Sequence, residues 1–435
     1  MKKVLIITYY WPPAGGPGVQ RWLKFVKYLP EFGIQPVVYV PENPSYPILD
    51  ENLLDEVPKD AIIIKKKIRE PHGLASIFSK KSKKISSGII TNNQKQTVVE
   101  RLLLMIRGNA FIPDARVLWV RPSVSFLKRY IAENKIETII TSGPPHSLHL
   151  IGMKLQQQLN ITWIADFRDP WTTIGYHNKL KLSAFAHRKH MKLEQKVLRS
   201  ADTILVTSKT TKSDFANITK QPITVITNGY DTELSERQVL DSKFTIAHIG
   251  SFLSDRNPTI LWQALAELVN EIPEFSNDFE LKLIGTVSPE IVESINKHQL
   301  AAYVNNFGYV QHSDAVAHQQ RSQVLLLIEI DAEITKSIIP GKLFEYMASG
   351  RPILGIGPEG SDFADIISQT NTGTFFNYAE KDRLKAQILQ YYQLYKDGAL
   401  TVNAVGLEQY SRKYLTGTLA EAIKGVTTKN YNYKL

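Results

Sequence analysis

The stretch SIIPGKLFEYMASGRPILGIG, residues 337–357, places Glu345 three residues after Lys342, directly behind Pro340 and Gly341. Proline fixes φ and glycine leaves the backbone open to another group, so the dipeptide reads as a helix start. The first turn of a helix presents free N–H groups and a partial positive charge, which suit an anion such as a phosphate. Leu343, Phe344 and Met347 supply an apolar side, Ala348-Ser349-Gly350 ends the helix, and RPILGIG continues as a buried strand. The plain alternative is an ordinary helix–strand unit with a solvated glutamate.

Further loops carry groups of the same kind. In WPPAGGPGVQRW, Gly15-Gly16 lets the backbone come close to a bulky ligand ahead of a helix starting near Val19. The loop is not G-x-G-x-x-G, and no acidic residue follows about 20 positions on, which disfavours a dinucleotide site. Arg256 stands beside Asn257-Pro258 at another helix start, a place where a guanidinium pairs with diphosphate oxygens. TSGPPHS sets His146 behind a double proline, and IADFRDPW sets Asp166, Arg168, Asp169 and Trp171 at a strand end. Carboxylates and an arginine near an aromatic suit a sugar's hydroxyls and ring face. An internal salt bridge and a structural histidine are the competing readings.

Two domains are the natural partition of 435 residues. The absence of cysteine excludes disulfide scaffolds, zinc–thiolate sites and thiol catalysis. The apolar run after Met1-Lys2-Lys3 is too short for a signal peptide and reads as a first strand, and no apolar window is long enough to span a membrane, so a cytoplasmic location is the default. Net charge is +10, unevenly spread: residues 1–235 hold 34 Lys and Arg against 19 Asp and Glu, and the remainder 18 against 23. A basic first half points to an anionic surface. Lys80, Lys81, Lys83 and Lys84, followed by the apolar VVERLLLMIRGNAFIP, are the candidate contact with an anionic inner membrane face. The lysine cluster lacks interleaved aromatics, so nucleic acid is not expected.

These loops need a frame. Apolar β-branched runs alternate with helical patterns along the whole chain, seven strands through ITVITNG and six from TIAHIGSF to TGTFFN. Such alternation with continuous apolar strands means parallel sheets covered by helices. The expected fold class is α/β, with two Rossmann-like doubly wound domains facing across a cleft. The spacing divides the chain into 1–230, a polar linker 231–243, 244–405, and a C-terminal helix 406–435 crossing back towards the first domain. Ligands in such sheets lie beyond the carboxyl ends of the strands, where the loops above are found.

From WPPAGGPGVQR through GPPHS, DFRDPW and NGYD to PGKLFEYMASGRPIL, the chain resembles the family 4 retaining glycosyltransferases of the GT-B fold, over nearly its whole length. The resemblance implies a sugar moved from a nucleotide-sugar donor, with retention, to a saccharide or lipid-linked acceptor in surface-polysaccharide synthesis, with no metal or other cofactor. It makes Glu345 the clamp on the nucleotide ribose and the backbone of Gly341, Lys342 and Leu343 the seat of the donor diphosphate, with Gly15, Gly16 and Arg256 also on the donor. Arg168, Asp169 and His146 become the catalytic group, contacting the transferred sugar or acceptor. Two positions depart from the family pattern. Ser337 stands where a first glutamate is usual, with Glu329, Asp331 and Glu333 nearby as substitutes. Ser251 stands where a first cation is usual, leaving Lys342 to supply the second charge beside Arg256. A nucleotide-sugar epimerase and a non-catalytic nucleotide-sugar or membrane-binding partner are the alternatives.

Overall fold

The computed structural model describes residues 1–68, 105–178, 180–231 and 238–426. The Lys80–Lys84 cluster lies outside the described residues. The chain divides into two compact units, residues 1–228 with 412–435, and residues 229–411. The return to the first unit thus begins at Arg412, later than the sequence pattern places it.

Among its described residues the first unit holds a seven-stranded sheet in the order β3-β2-β1-β4-β5-β6-β7, every neighbouring pair parallel. The strands are β1 (Lys2–Ile7), β2 (Ile34–Pro41), β3 (Ile62–Lys66), β4 (Thr138–Gly143), β5 (Thr162–Phe167), β6 (Thr203–Val206) and β7 (Ile223–Val225). The central strands coincide with apolar runs of the sequence, because a strand buried on both faces has no polar alternation to show, while β3 and β7 at the sheet's two edges are half-buried or exposed. Helix α1 (Pro17–Tyr28) covers one face with Val19, Trp22, Leu23 and Val26. Helices α2 (Val120–Asn134), α3 (Ser147–Leu159) and α4 (Ala184–Ser200) cover the other, through Leu127, Ile131, Ile151, Leu155 and Val197.

Among its described residues the second unit repeats the plan with six parallel strands in the order β10-β9-β8-β11-β12-β13, of which β9 is Phe279–Ile284, β10 Val304–Gly308 and β13 Gly373–Phe376. Those that position the site are β8 (Phe244–Ile249), β11 (Val324–Ile328) and β12 (Ile353–Ile356). Helix α5 (Thr259–Glu271) follows β8, α6 (His312–Arg321) precedes β11, and α7 (Lys342–Ala348) precedes β12. Helix α8 (Arg412–Gly425) then returns to the first unit, where Leu415, Leu419 and Ile423 join the core built on α1.

In each sheet the winding direction reverses once, between β1 and β4 and between β8 and β11. Loops on either side of such a reversal diverge and leave a crevice at the carboxyl edge. Both crevices are built from the loops singled out by the sequence. No helix of the described residues is long and apolar enough to cross a membrane.

Candidate functional site

In the second unit the crevice lies beyond β8 and β11. After β8 the chain runs through Gly250, at φ 109°, to a short 3-10 turn ending at Arg256. Leaving β11, the first side chain is that of Glu329, fully buried. The two form a bidentate ion pair: Arg256 Nε and Nη2 lie 3.2 Å from Glu329 Oε1, and Nη2 lies 3.1 Å from Oε2. The Ile330 N–H also donates to this carboxylate, at 2.9 Å. Glu329 is therefore engaged in holding Arg256, a pairing across 73 residues that no local pattern could signal. Of the other two substitutes for the missing first glutamate, Glu333 is exposed and pairs with Lys336 at 2.8 Å, and Asp331 is exposed. Ser337 is half-buried.

Helix α7 begins at Lys342 behind Gly341, as the Pro-Gly pair predicts, and ends at Ala348, two residues before Gly350, whose φ is 70°. Of the three N–H groups assigned to an anion, that of Leu343 donates to the Pro340 carbonyl at 3.0 Å, so the local turn takes it. The Lys342 ammonium lies 3.2 Å from His248 Nε2 and packs against Gly250, where an added Cβ would stand 3.1 Å from Nζ. Burial first, then the Arg256 charge, lowers the Lys342 pKa to about 7, against the opposing pull of Glu329 and Glu345. Burial, with Lys342 and Arg256 beside it, likewise holds His248 neutral. These mutual influences place Arg256, Glu329, Lys342 and Glu345 in one electrostatic neighbourhood. One turn along α7, Glu345 accepts from Gln319 Nε2 of α6 at 3.0 Å. Tyr346 fastens α7 to β8: its hydroxyl accepts the Ile249 N–H at 3.0 Å. His248 and Gln319 carried no sequence signal, since each is defined only by its partner on another element.

The first unit's crevice lies beyond β1, β4 and β5. Arg168 leaves β5 half-buried, its guanidinium 5.7 Å from the Tyr10 ring centre and donating to the Pro144 carbonyl. Asp169 is half-buried beside it, and burial raises its carboxyl pKa against the pull of Arg168. His146 is buried, with neither ring nitrogen hydrogen-bonded, and its ring stacks on Trp171 at 5.0 Å and 0°. Burial, with His149 and Arg168 adding to it, keeps it neutral. Arg168, Asp169 and His146 thus stand at one edge of one sheet.

Several expectations give way here. Trp171 is 2% exposed, donates to His190 through its indole and to Glu194 through its backbone, and presents no face to a sugar. Asp166 is core: it pairs with buried Arg21 at 3.0 Å and accepts from Trp22 and Ser142. Gly15 is close to the chain's own segment rather than to open space, since an added Cβ would lie 3.0 Å from Ile48 Cγ2, and its N–H donates to the Ile48 carbonyl. Gly16 is required by its φ of 105° at the N-cap of α1, with nothing near its missing side chain. The glycine that makes room is Gly18, where a Cβ would fall 1.6 Å from Arg168 Nη1.

Two family models match the chain: Glycosyltransferase Family 4 over residues 18–234 and Glycosyl transferases group 1 over residues 243–394. No curated protein matches it in sequence. Among solved structures, HepE from Anabaena, crystallised with UDP and also with UDP-glucose, aligns at TM-score 0.60 in the UDP complex and 12% identity, over 98% of this chain and 100% of that one. The lipopolysaccharide outer core galactosyltransferase WaaB aligns at 0.57 and 14%, over 97% and 99%. A proposed UDP-N-acetylglucosamine 2-epimerase from Listeria monocytogenes aligns at 0.53 and 13%, over 98% and 96%. With the two models covering most of its length and the two sheets matching, the chain belongs to the family 4 glycosyltransferases of the GT-B fold.

Proposed function

We propose that the protein moves a sugar from a nucleotide-sugar donor, with retention at the anomeric carbon, to a saccharide or lipid-linked acceptor of a surface polysaccharide. The observation that carries this reading is the cluster beyond β8 and β11, where Arg256 forks onto Glu329, Lys342 packs against Gly250 and Glu345 stands one turn along the same helix from Lys342. Glu345 holds the ribose hydroxyls. Lys342 and Arg256 meet the diphosphate, with Glu329 aligning the Arg256 fork. HepE, with UDP and UDP-glucose bound, supports a nucleotide donor of this kind.

The leaving group is a diphosphate, so no strong acid has to protonate it. The chain's part is to stabilise the negative charge that develops as the anomeric C–O bond breaks, and to hold an acceptor hydroxyl on the same face. The departing phosphate oxygen takes the acceptor's proton as the new glycosidic bond forms. Arg168, Asp169 and a neutral His146 position the transferred sugar or acceptor, and no step calls for a metal or other cofactor.

The test is release of nucleoside diphosphate from UDP-, GDP- and dTDP-sugars, with and without lipid-linked acceptors. One donor is expected to turn over with acceptor and to lose at least tenfold in the Glu345→Gln variant. The likeness to the Listeria epimerase favours a second reading, in which an isomerised nucleotide-sugar appears without acceptor. Tight donor binding with no turnover under any acceptor would instead indicate a non-catalytic partner.

A further inference from the structure

Among the described residues of α6, one side chain is buried, and it is polar. Gln319 is 3% exposed, while the rest of the helix is half-buried or exposed. One turn earlier on the same face, Ala315 packs into the apolar cluster around Leu343 and Met347. An apolar side chain at 319 would continue that packing, whereas a buried amide costs free energy unless it is hydrogen-bonded. Its partner is a carboxylate. Gln319 Nε2 donates to Glu345 Oε2 at 3.0 Å, which joins α6 to the first turn of α7 across 26 residues.

Both helices are held around this bond. Arg351, 7% exposed, lies three residues beyond α7. Its Nε donates to the Ser322 carbonyl at 3.0 Å, and its Nη2 to the Gln323 carbonyl at 3.0 Å and to Gln323 Oε1 at 3.1 Å, directly behind the end of α6. The Tyr346 hydroxyl ties α7 to β8. The amide of Gln319 is thus presented to Glu345 from a fixed point.

The kind of donor matters. A lysine or arginine at 319 would pair with the Glu345 carboxylate and compete with a ligand for it. A neutral amide engages one oxygen without neutralising the group. Among the described residues, none donates to the other oxygen, Oε1. An unheld glutamate has several staggered rotamers to lose on binding, and a hydrogen bond made beforehand removes that loss.

We infer that Gln319 is a positioning residue for the nucleotide: its amide fixes Oε2 of Glu345, and with it the rotamer that offers Oε1 to the ribose hydroxyls. The inference rests on the reading of Glu345 as the ribose clamp. It assigns the preference for a hydroxylated pentose to the pair rather than to the carboxylate alone.

The experiment is calorimetric titration of the full chain with uridine diphosphate and with its 2′,3′-dideoxy analogue, which keeps the base and the diphosphate and lacks both hydroxyls. The unchanged chain is expected to prefer uridine diphosphate by about tenfold or more, the scale of hydrogen bonds to a charged acceptor. Glu345→Gln should remove most of that preference. Gln319→Met keeps much of the volume and loses the donor, and should cut the preference to about threefold or less. Gln319→Glu puts a like charge where the donor stood and should erase it. Both Gln319 variants should bind the analogue as the unchanged chain does, since Arg256 and Lys342 are untouched. A residue with a merely structural role would weaken both ligands alike, and that result in the two variants overturns the inference. So does a preference that Gln319→Met keeps in full while Glu345→Gln loses it, an outcome that leaves the ribose reading standing. If the unchanged chain binds the two ligands equally, or Glu345→Gln keeps the preference, the ribose reading fails and the role of Gln319 fails with it.

Discussion

A lysine held near neutrality senses an arriving phosphate through its own proton. The ammonium of Lys342 has a pKa of about 7 because it is buried and because Arg256 stands near. A diphosphate beside it favours the charged form, so binding draws a proton onto the side chain wherever the free protein has lost it. Affinity for UDP, measured by calorimetry, is expected to weaken as pH rises through 7, approaching tenfold per pH unit above that value. Lys342→Gln should bind more weakly and show a flatter profile. A wild-type profile as flat as the variant's would remove Lys342 from the diphosphate. Folding stability runs the other way. The native pKa lies below the unfolded one, so the unfolded chain holds more protons between 7 and 10.5, and stability is lost as pH falls across that window. Residues at this scale were unevenly legible. The place of Glu345 in the first turn of α7 was readable from the local Pro-Gly-Lys start. Asp166 sits in an equally suggestive cluster, yet its role is decided by Arg21, 145 residues away, and no local pattern carries that information.

Elements were the most legible level, for a physical reason: the central parallel strands, buried on both faces, leave long apolar runs, whereas the edge strand β10 is mostly exposed and carries two asparagines. What elements do to each other was less so. The loop into α1 looked like a ligand cradle because of Gly15 and Gly16, but the first packs on residue 48 and the second satisfies a backbone angle. Only the packing of β5 against α1 reveals that Gly18 holds the space for Arg168. Gly18→Ala puts a methyl group 1.6 Å from Nη1, and the guanidinium, the far end of a flexible chain, has to move. Alanine within a helix is better than glycine by about 1 kcal/mol, so the fold should hold or gain slightly. The expectation is a fall of tenfold or more in turnover, read as nucleoside-diphosphate release, with the thermal midpoint unchanged or raised. Full turnover in Gly18→Ala would show that Arg168 does not position the reacting groups.

At the scale of the molecule, the chain leaves one unit at residue 228, completes a second, and comes back at Arg412 to finish the first. The two units therefore differ in what a cut would do to them. Residues 229–411 are continuous and own two apolar clusters, one around Phe244 and Leu326, the other around Leu343 and Met347. Every side chain proposed to meet the nucleotide, Arg256, Lys342 and Glu345, lies in this unit. The fragment 229–411 is expected to unfold cooperatively and to bind UDP within about threefold of the full chain. Residues 1–228 lack α8, whose Leu415, Leu419 and Ile423 are buried against Trp22 and Leu23. Losing even one buried leucine to alanine costs about 2–5 kcal/mol, and here three large side chains vanish together. That is comparable to the whole stability of a domain. The fragment 1–228 should be unfolded or aggregated alone, and a peptide spanning 412–435 should restore a cooperative thermal transition in it. The decisive comparison is between the two fragments. If 229–411 folds but fails to bind UDP that the full chain binds, the nucleotide's main contacts lie outside the Arg256–Lys342–Glu345 cluster, and the assignment of the donor to the second unit fails with it.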